Sequence, residues 1–398
     1  MKQFVRTVLS SAPLWLAIGF ANVLLGILIA VRVDGSRDIS WLWIWTRNWL
    51  AGSNPYRWPI PADYPPWALV ALSPLGMFSA AAVPAVWAGV GVALAILVAW
   101  LGPKAVLVDS LRYRPSLGIF LAWAAVRYVL GNGQFALLAT SCGLAAVCLA
   151  RRGSWWSGLL LGAALIKPHV GVAFLAWAVA AGEWRSIGGA AATLSAATFV
   201  FSARLRESAV STIAQYVSQV GAEFSGPHAL RGGVELRPLV DAAIPAPGVA
   251  ALVNLCLIAA GLVAIVWTLT RQPSDTRDRI ALPLFCAWTL ASAFHNAYDL
   301  VLLWPVWLVL WDRQQHNPDS SPYLLALVQA VLVAGVPGIA WKLRAFVPDA
   351  GLHVDRVLVA CLLIYLLATA SRRPPLGQIH RRELVQAAPR HSSEMVLP

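Results

Sequence analysis

Ionisable side chains stand at a few places where the surrounding sequence gives them no water. Lys167 is the one charged residue of the apolar stretch 154–182, and Pro168 and His169 follow it at once. His295 and Asp299 lie between two apolar runs, four residues apart, with Tyr298 beside them. That spacing puts both on one face of a helix, where the carboxylate can orient the imidazole or hold it protonated. Arg127 is isolated near the end of another apolar run, and Gln134 lies just beyond it. Ionisable groups at membrane depth are rare and mark functional sites by default. Cations and imidazoles there can hold an anion such as phosphate, or relay protons. The structural alternatives are that Lys167 snorkels to an interface and that His295 and Asp299 form a satisfied pair with no further task.

A fourth candidate, Asp38, opens a different kind of segment. From Asp38 to Gly52 the chain reads as a helix, with Asp38 or Ser36 able to cap its start and Gly52 a suitable stop. Trp41, Trp45 and Trp49 recur every fourth residue and make one stripe, which predicts an amphipathic interfacial helix. Asn54-Pro55-Tyr56, Asp63-Tyr64-Pro65-Pro66-Trp67 and Pro74 follow, and these prolines forbid a long helix. The result is an aromatic, proline-rich collar that holds carboxylates where lipid and water meet, a place to bind an amphipathic substrate.

The elements that must position these groups follow from composition. The chain has 398 residues, 59% of them hydrophobic and only 12% charged, with mean hydropathy +0.67. A soluble enzyme needs more charge than this for its surface, and a disordered chain has fewer apolar residues. An all-α polytopic membrane protein remains. Apolar runs at 12–31, 80–101, 115–130, 135–150, 154–166, 168–182, 187–203, 247–270, 280–294, 297–311, 323–341 and 357–370 predict about twelve spans. They form one domain over 1–371, with hydrophilic loops at 32–79 and 204–246, and 372–398 reads as a disordered tail. The run after the basic start is too long for a cleaved signal and reads as a retained first span.

The net charge is +12, from 30 Lys+Arg against 18 Asp+Glu. With both termini in the cytoplasm of an inner membrane, the clusters Arg151-Arg152, Arg372-Arg373 and Arg381-Arg382 all fall inside. Orientation therefore accounts for much of the excess, and nucleic acid is not an expected partner. The five cysteines lie in apolar runs without CxxC or histidine at ligand spacing, so they read as small buried hydrophobes. No DxD or histidine cluster suggests a metal, and no glycine-rich phosphate loop suggests a nucleotide user, so no metal or cofactor is expected.

Taken in order, Asp38, then Trp49 through Gly52-Ser53-Asn54-Pro55-Tyr56, Tyr64-Pro65-Pro66, Pro74-Leu75, Gly133-Gln134, Gly158 to Lys167-Pro168, and His295-Asn296-Ala297-Tyr298-Asp299-Leu300 resemble glycosyltransferase family 87. The resemblance implies a GT-C membrane fold and transfer of a sugar from a polyprenyl-phosphate-linked donor on the external face; a hexose, mannose foremost, moved to a lipid or cell-envelope glycan acceptor is the expected reaction. It implies that Asp38, matching the family's first-loop aspartate, is the general base, and that His295 is functional in the late loop. Asp34 is the alternative base, and a plain helix cap the alternative role for Asp38. For such chemistry one carboxylate suffices in an inverting displacement. Lys167, Arg127, Gln134, Tyr64, Asn54, Tyr298 and Asp299 are then the candidate contacts for phosphate and sugar, with membrane lipid around them. The competing class is a transporter or flippase for a lipid-linked or small polar solute, which the intramembrane Lys167, His295 and Asp299 would also suit.

Overall fold

The computed structural model describes residues 2–32, 38–108, 115–225, 236–293, 295–316, 322–335 and 354–370. Every regular element among them is helical. The chain begins with α1 (Lys2–Ser10) and α2 (Ala12–Arg32), then α3 (Asp38–Leu50), α4 (Pro66–Ala71) and α5 (Val83–Ala105). Next come α6 (Ser116–Leu121), α7 (Ala124–Asn132), α8 (Ala136–Ala150), α9 (Trp156–Ala164) and α10 (Pro168–Ala180). α11 (Trp184–Leu205), α12 (Ala209–Ser225), α13 (Arg237–Ala243) and α14 (Pro247–Thr270) follow. The last described helices are α15 (Ser274–Ser292), α16 (Trp304–His316), α17 (Tyr323–Ala334) and α18 (Val354–Ala370). Short 3-10 turns at Pro55–Arg57, Ser73–Met77 and Ala297–Leu303 complete the set.

Sequence explains where these helices start and stop. Pro66, Pro168 and Pro247 each open a helix, where the missing N–H has no partner to lose. α2 packs on α6 and α7, α5 on α8, α8 on α9, α9 on α11, and α10 on α15. The α9–α11 contact depends on a pair of glycines. A Cβ on Gly158 would lie 2.7 Å from the Gly189 Cα, and one on Gly189 would lie 2.9 Å from the Gly158 Cα. Bare backbones let the two helices touch, the close approach that drives helix association where lipid removes the hydrophobic incentive. Beside them the hydroxyls of Ser157 and Ser186 bond at 2.7 Å. Gly158→Leu is expected to destabilise the protein by about 1–3 kcal/mol through overpacking. Gly188→Ala, whose Cβ meets nothing within 4 Å, is the control and is expected to leave the melting temperature in detergent unchanged or slightly higher.

Among the described residues, fewer continuous helices than the expected twelve spans are long enough to cross a membrane. By length and apolarity 4 helices among the described residues (α2, α5, α11 and α14) can each cross a bilayer, or up to 5 spans if the α7–α8 pair, bent by 116°, is one. α10, α17 and most of α18 are apolar but shorter. The physical reason is breakage. The run 115–130 is divided at Trp123, 297–311 begins as a 3-10 turn, and 154–166 contains only the nine-residue α9. Apolar residues do fill these runs, but their helices are not continuous.

The tryptophan stripe of α3 also points elsewhere than expected. Trp45 and Trp49 are buried among protein atoms, so these two rings pack inside the protein and not on a lipid surface. Trp49 stacks on Phe201 at 5.5 Å and donates its ring N–H to the Phe201 carbonyl at 3.1 Å. Trp45 donates to the Ile60 carbonyl at 2.9 Å. Together with Ile39, Leu42, Tyr56, Leu69, Trp87, Phe135 and Ile166 they build a second hydrophobic core beneath a cap made of residues 38–79. Two of its members, Phe135 and Ile166, adjoin Gln134 and Lys167, so this core backs the polar groups described next.

Candidate active site

Three breaks in apolar runs supply the polar centre. At the first, α7 ends on Gly133 in the left-handed conformation (φ +70°), and the chain turns sharply through Gln134 into α8. A Cβ on Gly133 would sit 2.5 Å from the Ile39 side chain, so the bend presses directly against the first turn of α3. At the second, Lys167 stands at the start of α10, with Pro168 fixing the helix opening. At the third, His295 and Asn296 separate α15 from the turn Ala297–Leu303, which Asn296 and Asp299 close as a reciprocal capping box. Non-helical backbone at membrane depth persists only where protein or a polar site satisfies it.

Asp299 is the hub of this centre. Its Oδ1 lies 2.6 Å from the Lys167 ammonium, both side chains being almost wholly buried. Its Oδ2 accepts the Asn296 backbone N–H at 3.1 Å and faces His169 Nε2 and His295 Nδ1, each at 3.4 Å. The two imidazoles meet edge to face with centroids 4.9 Å apart. Lys167 also donates to Gln134 Oε1 at 3.2 Å and lies over the Tyr298 ring at 4.2 Å. Tyr298 receives the Asn296 amide at 2.6 Å, and Tyr64 donates a long 3.4 Å bond to Gln134 Oε1. Beside the buried Gln134, Lys167, His295 and Asp299 stand the half-buried Asp38, Tyr64, His169, Asn296 and Tyr298. A satisfied buried ion pair with half-buried polar neighbours is a floor on which a polar ligand can sit.

Asp38 belongs to these neighbours. Burial first, and then the charges of neighbouring Asp63, Asp38 and Asp299, push the Tyr64 phenol well above its ordinary range. The charge of Asp38 reaches Tyr298 too. The first turn of α3 therefore brings a carboxylate to the same tyrosines that touch Lys167 and Gln134. Asp34 and Ser36 lie outside the described residues, as do His228, Arg231, Glu235 and the segment 371–398.

Not every predicted contact converges here. Arg127 bonds Asn22 Oδ1 at 2.9 Å and packs over the Tyr128 ring, and neither partner belongs to the cluster. It ties α7 to α2. Asn54 caps the turn Pro55–Arg57 through Tyr56 N and donates to Glu207 Oε1 at 3.0 Å and Gln215 Oε1 at 2.8 Å. Glu207 further takes Arg57 at 3.1 Å and the Gln215 amide at 2.9 Å. Asn54 is thus a clasp between the cap and α12. Asn54→Ala is expected to cost about 1–3 kcal/mol, since it leaves the Gln215 carbonyl oxygen and the Tyr56 N–H without the bonds Asn54 makes to them. Faster proteolytic cutting of the 206–225 segment, without change in the remaining helices, would register it.

One member of the centre was not among the predicted contacts. His169 sits two residues past Lys167 in sequence, and that proximity was its only signal; its bond to Asp299 spans a break and a long stretch of chain. His169, His295 and Asp299 carry potential metal-ligating atoms within 4.8 Å of one another. The Lys167 ammonium already balances that carboxylate, and Oδ2 is taken up by N–H groups, so a divalent ion would be set against a fixed positive charge. The donor set fits hydrogen bonding better than metal ligation.

The long apolar helices and the buried ion cluster at their breaks define a multi-pass helical membrane protein with a polar site under an aromatic cap. Residues 63–293, more than half the chain, match glycosyltransferase family 87. The chain belongs to that family, and it is a membrane glycosyltransferase. The match includes Tyr64, Gln134, Lys167 and His169, while Asp38, His295 and Asp299 lie outside it. No curated protein and no solved structure matches the chain.

Proposed function

We propose that the protein transfers a hexose, mannose foremost, from a polyprenyl-phosphate-linked donor to a lipid or cell-envelope glycan acceptor on the outer face of the inner membrane. The observation that carries this reading is the approach of Asp38 to tyrosines that line a buried Lys167–Asp299 pair. An acceptor hydroxyl placed at Asp38 loses its proton to the carboxylate as its oxygen attacks the anomeric carbon. The bond from that carbon to the phosphate oxygen breaks on the opposite face, so configuration inverts. The lipid phosphate leaves with the electron pair, towards the N–H donors around Lys167. Buried donors fixed before the reaction stabilise such developing charge far better than water does.

Sidedness has its own support. Trp100 and Lys104 pair at 3.1 Å near the end of α5, and Trp267 and Arg271 at 3.6 Å at the end of α14. Exposed tryptophans beside cations suit a headgroup layer. Arg151, whose guanidinium binds the carbonyl of Ala105 at 2.6 Å, belongs to the same end of α5. This face, with both chain ends, is assigned to the cytoplasm and the cap to the exterior. Neither a metal nor an organic cofactor has a part in the scheme.

The test is transfer of radiolabel from a polyprenyl-phosphate-hexose to a crude envelope lipid fraction, using purified protein in detergent. Transfer without a sealed membrane is the expected result. A strict requirement for sealed vesicles and an ion gradient would favour a transporter, in which Lys167, His169, His295 and Asp299 would handle protons.

A further inference from the structure

The charges around Asp299 do not match what a lipid-phosphate donor would bring. Lys167 carries one positive charge and Asp299 one negative, at 2.6 Å. These two cancel. Among the described residues His169 faces Asp299 and His295, and the rest of the centre is Gln134 from the α7–α8 bend, Tyr298 from the third break, and Tyr64 and Asp38 from the cap. None of these offers a second fixed cation, and Asp38 adds a negative charge. A phosphodiester brings one more. Burying an uncompensated anion against this background is costly, so the site must gain positive charge as the donor enters.

Among the described residues of the centre, the imidazoles are the groups that can supply it. His169 Nε2 faces Asp299 Oδ2, and the divergent geometry of the ring turns Nδ1 away from that carboxylate. The His169 side chain is 28% exposed, whereas that of His295 is 0% exposed behind it. His169 is therefore the imidazole that a ligand can reach, with Asp299 holding its far nitrogen as a carboxylate holds the base in a hydrolase triad.

Building on the transfer reading above, we propose that His169 is a donor-phosphate contact that takes up one proton as the lipid phosphate binds and delivers it to the departing phosphate. The balance closes. His169 Nδ1 gains a proton from solvent when the phosphodiester enters. During transfer the acceptor hydroxyl gives its proton to Asp38, the new bond to the anomeric carbon forms, and the bond to phosphate oxygen breaks. His169 passes its proton to the leaving oxygen, so the polyprenyl phosphate departs as a monoanion. Asp38 then returns its proton to solvent and both residues are restored. Lys167 and Asp299 stay a fixed pair throughout.

The experiment is calorimetry of full-length protein in nanodiscs, titrated with a short-chain polyprenyl phosphomannose in two buffers of different ionisation enthalpy. The difference in heat counts protons taken up per donor bound. Wild type is expected to take up between half a proton and one proton near pH 7.5, and His169→Gln close to none. Gln keeps an N–H for Asp299 but cannot be protonated in this range. The same variant is expected to lose turnover about 10²–10³-fold, as removal of a general acid does, while its melting temperature stays within a few degrees of wild type. Binding without proton uptake in wild type, which needs no variant to fold, would overturn the proposal and leave the transfer reading standing. So would His169→Gln turnover within twofold of wild type. No donor binding at all would remove both.

Discussion

Asp38→Asn is expected to lower turnover by about 10²–10⁴-fold, the range for loss of a positioned general base, while the protein still folds and inserts. Asparagine is as good a helix cap as aspartate, so α3 keeps its start. Its amide is isosteric with the carboxylate, so the contact of neighbouring Ile39 with Gly133 is untouched. What disappears is the one property the reaction needs, a lone pair basic enough to accept the acceptor's proton. Asp38→Glu moves that lone pair by a methylene and is expected to recover a small part of the rate. Donor affinity should change by less than tenfold in both, since the phosphate end of the site lies at Lys167 and His169. Asp63, an exposed carboxylate on the same cap, is the control, and Asp63→Asn is expected to stay near wild-type rate. Initial rates with radiolabelled donor at saturating acceptor measure all three. Wild-type turnover in Asp38→Asn would remove it as the base, and a loss of folded protein would assign it the capping role instead.

Much of the centre was legible because polar residues are conspicuous in apolar surroundings. Lys167, His295 and Asp299 each interrupt a run that would otherwise be membrane-like, and the structure brings all three together with Gln134, Tyr298 and Tyr64. The interruptions themselves were the signal: each falls at a helix break, where backbone and side chain can both turn inward. Direction was harder to read. The fourfold spacing of Trp41, Trp45 and Trp49 marks one face of a helix, but a face rich in tryptophan packs equally well on lipid or on protein, and Phe201 and Ile60 take it here. Arg127 shows the same limit from the other side. An isolated arginine needs a partner, and Asn22, 105 residues away, supplied it. Pairings over such distances leave no local pattern. Helix continuity was hard to read for a related reason, since hydropathy measures how apolar a run is and not whether its backbone stays unbroken.

Asp299→Ala is expected to destabilise the protein by about 3–5 kcal/mol, because it leaves Lys167 charged and buried without a partner. The side chain of Lys167 has 3% exposure, so water cannot replace the lost carboxylate. Asn296 loses its capping partner, and the imidazoles lose the oxygen that orients them. The conservative Asp299→Asn keeps the shape and one acceptor but not the charge, and is expected to fall between alanine and wild type. Removing both charges separates the two roles of the pair. Lys167→Met combined with Asp299→Leu restores most of the stability, since well-packed apolar residues often match or exceed a buried ion pair. Melting temperatures in one detergent give the coupling energy from the four-member cycle. Turnover follows a different order: it should remain near background in the double variant, because the site that held His169 and met the phosphate is gone even though the fold is not. A double variant as unstable as Asp299→Ala would mean that the aspartate acts through its cap on the turn Ala297–Leu303 rather than through Lys167.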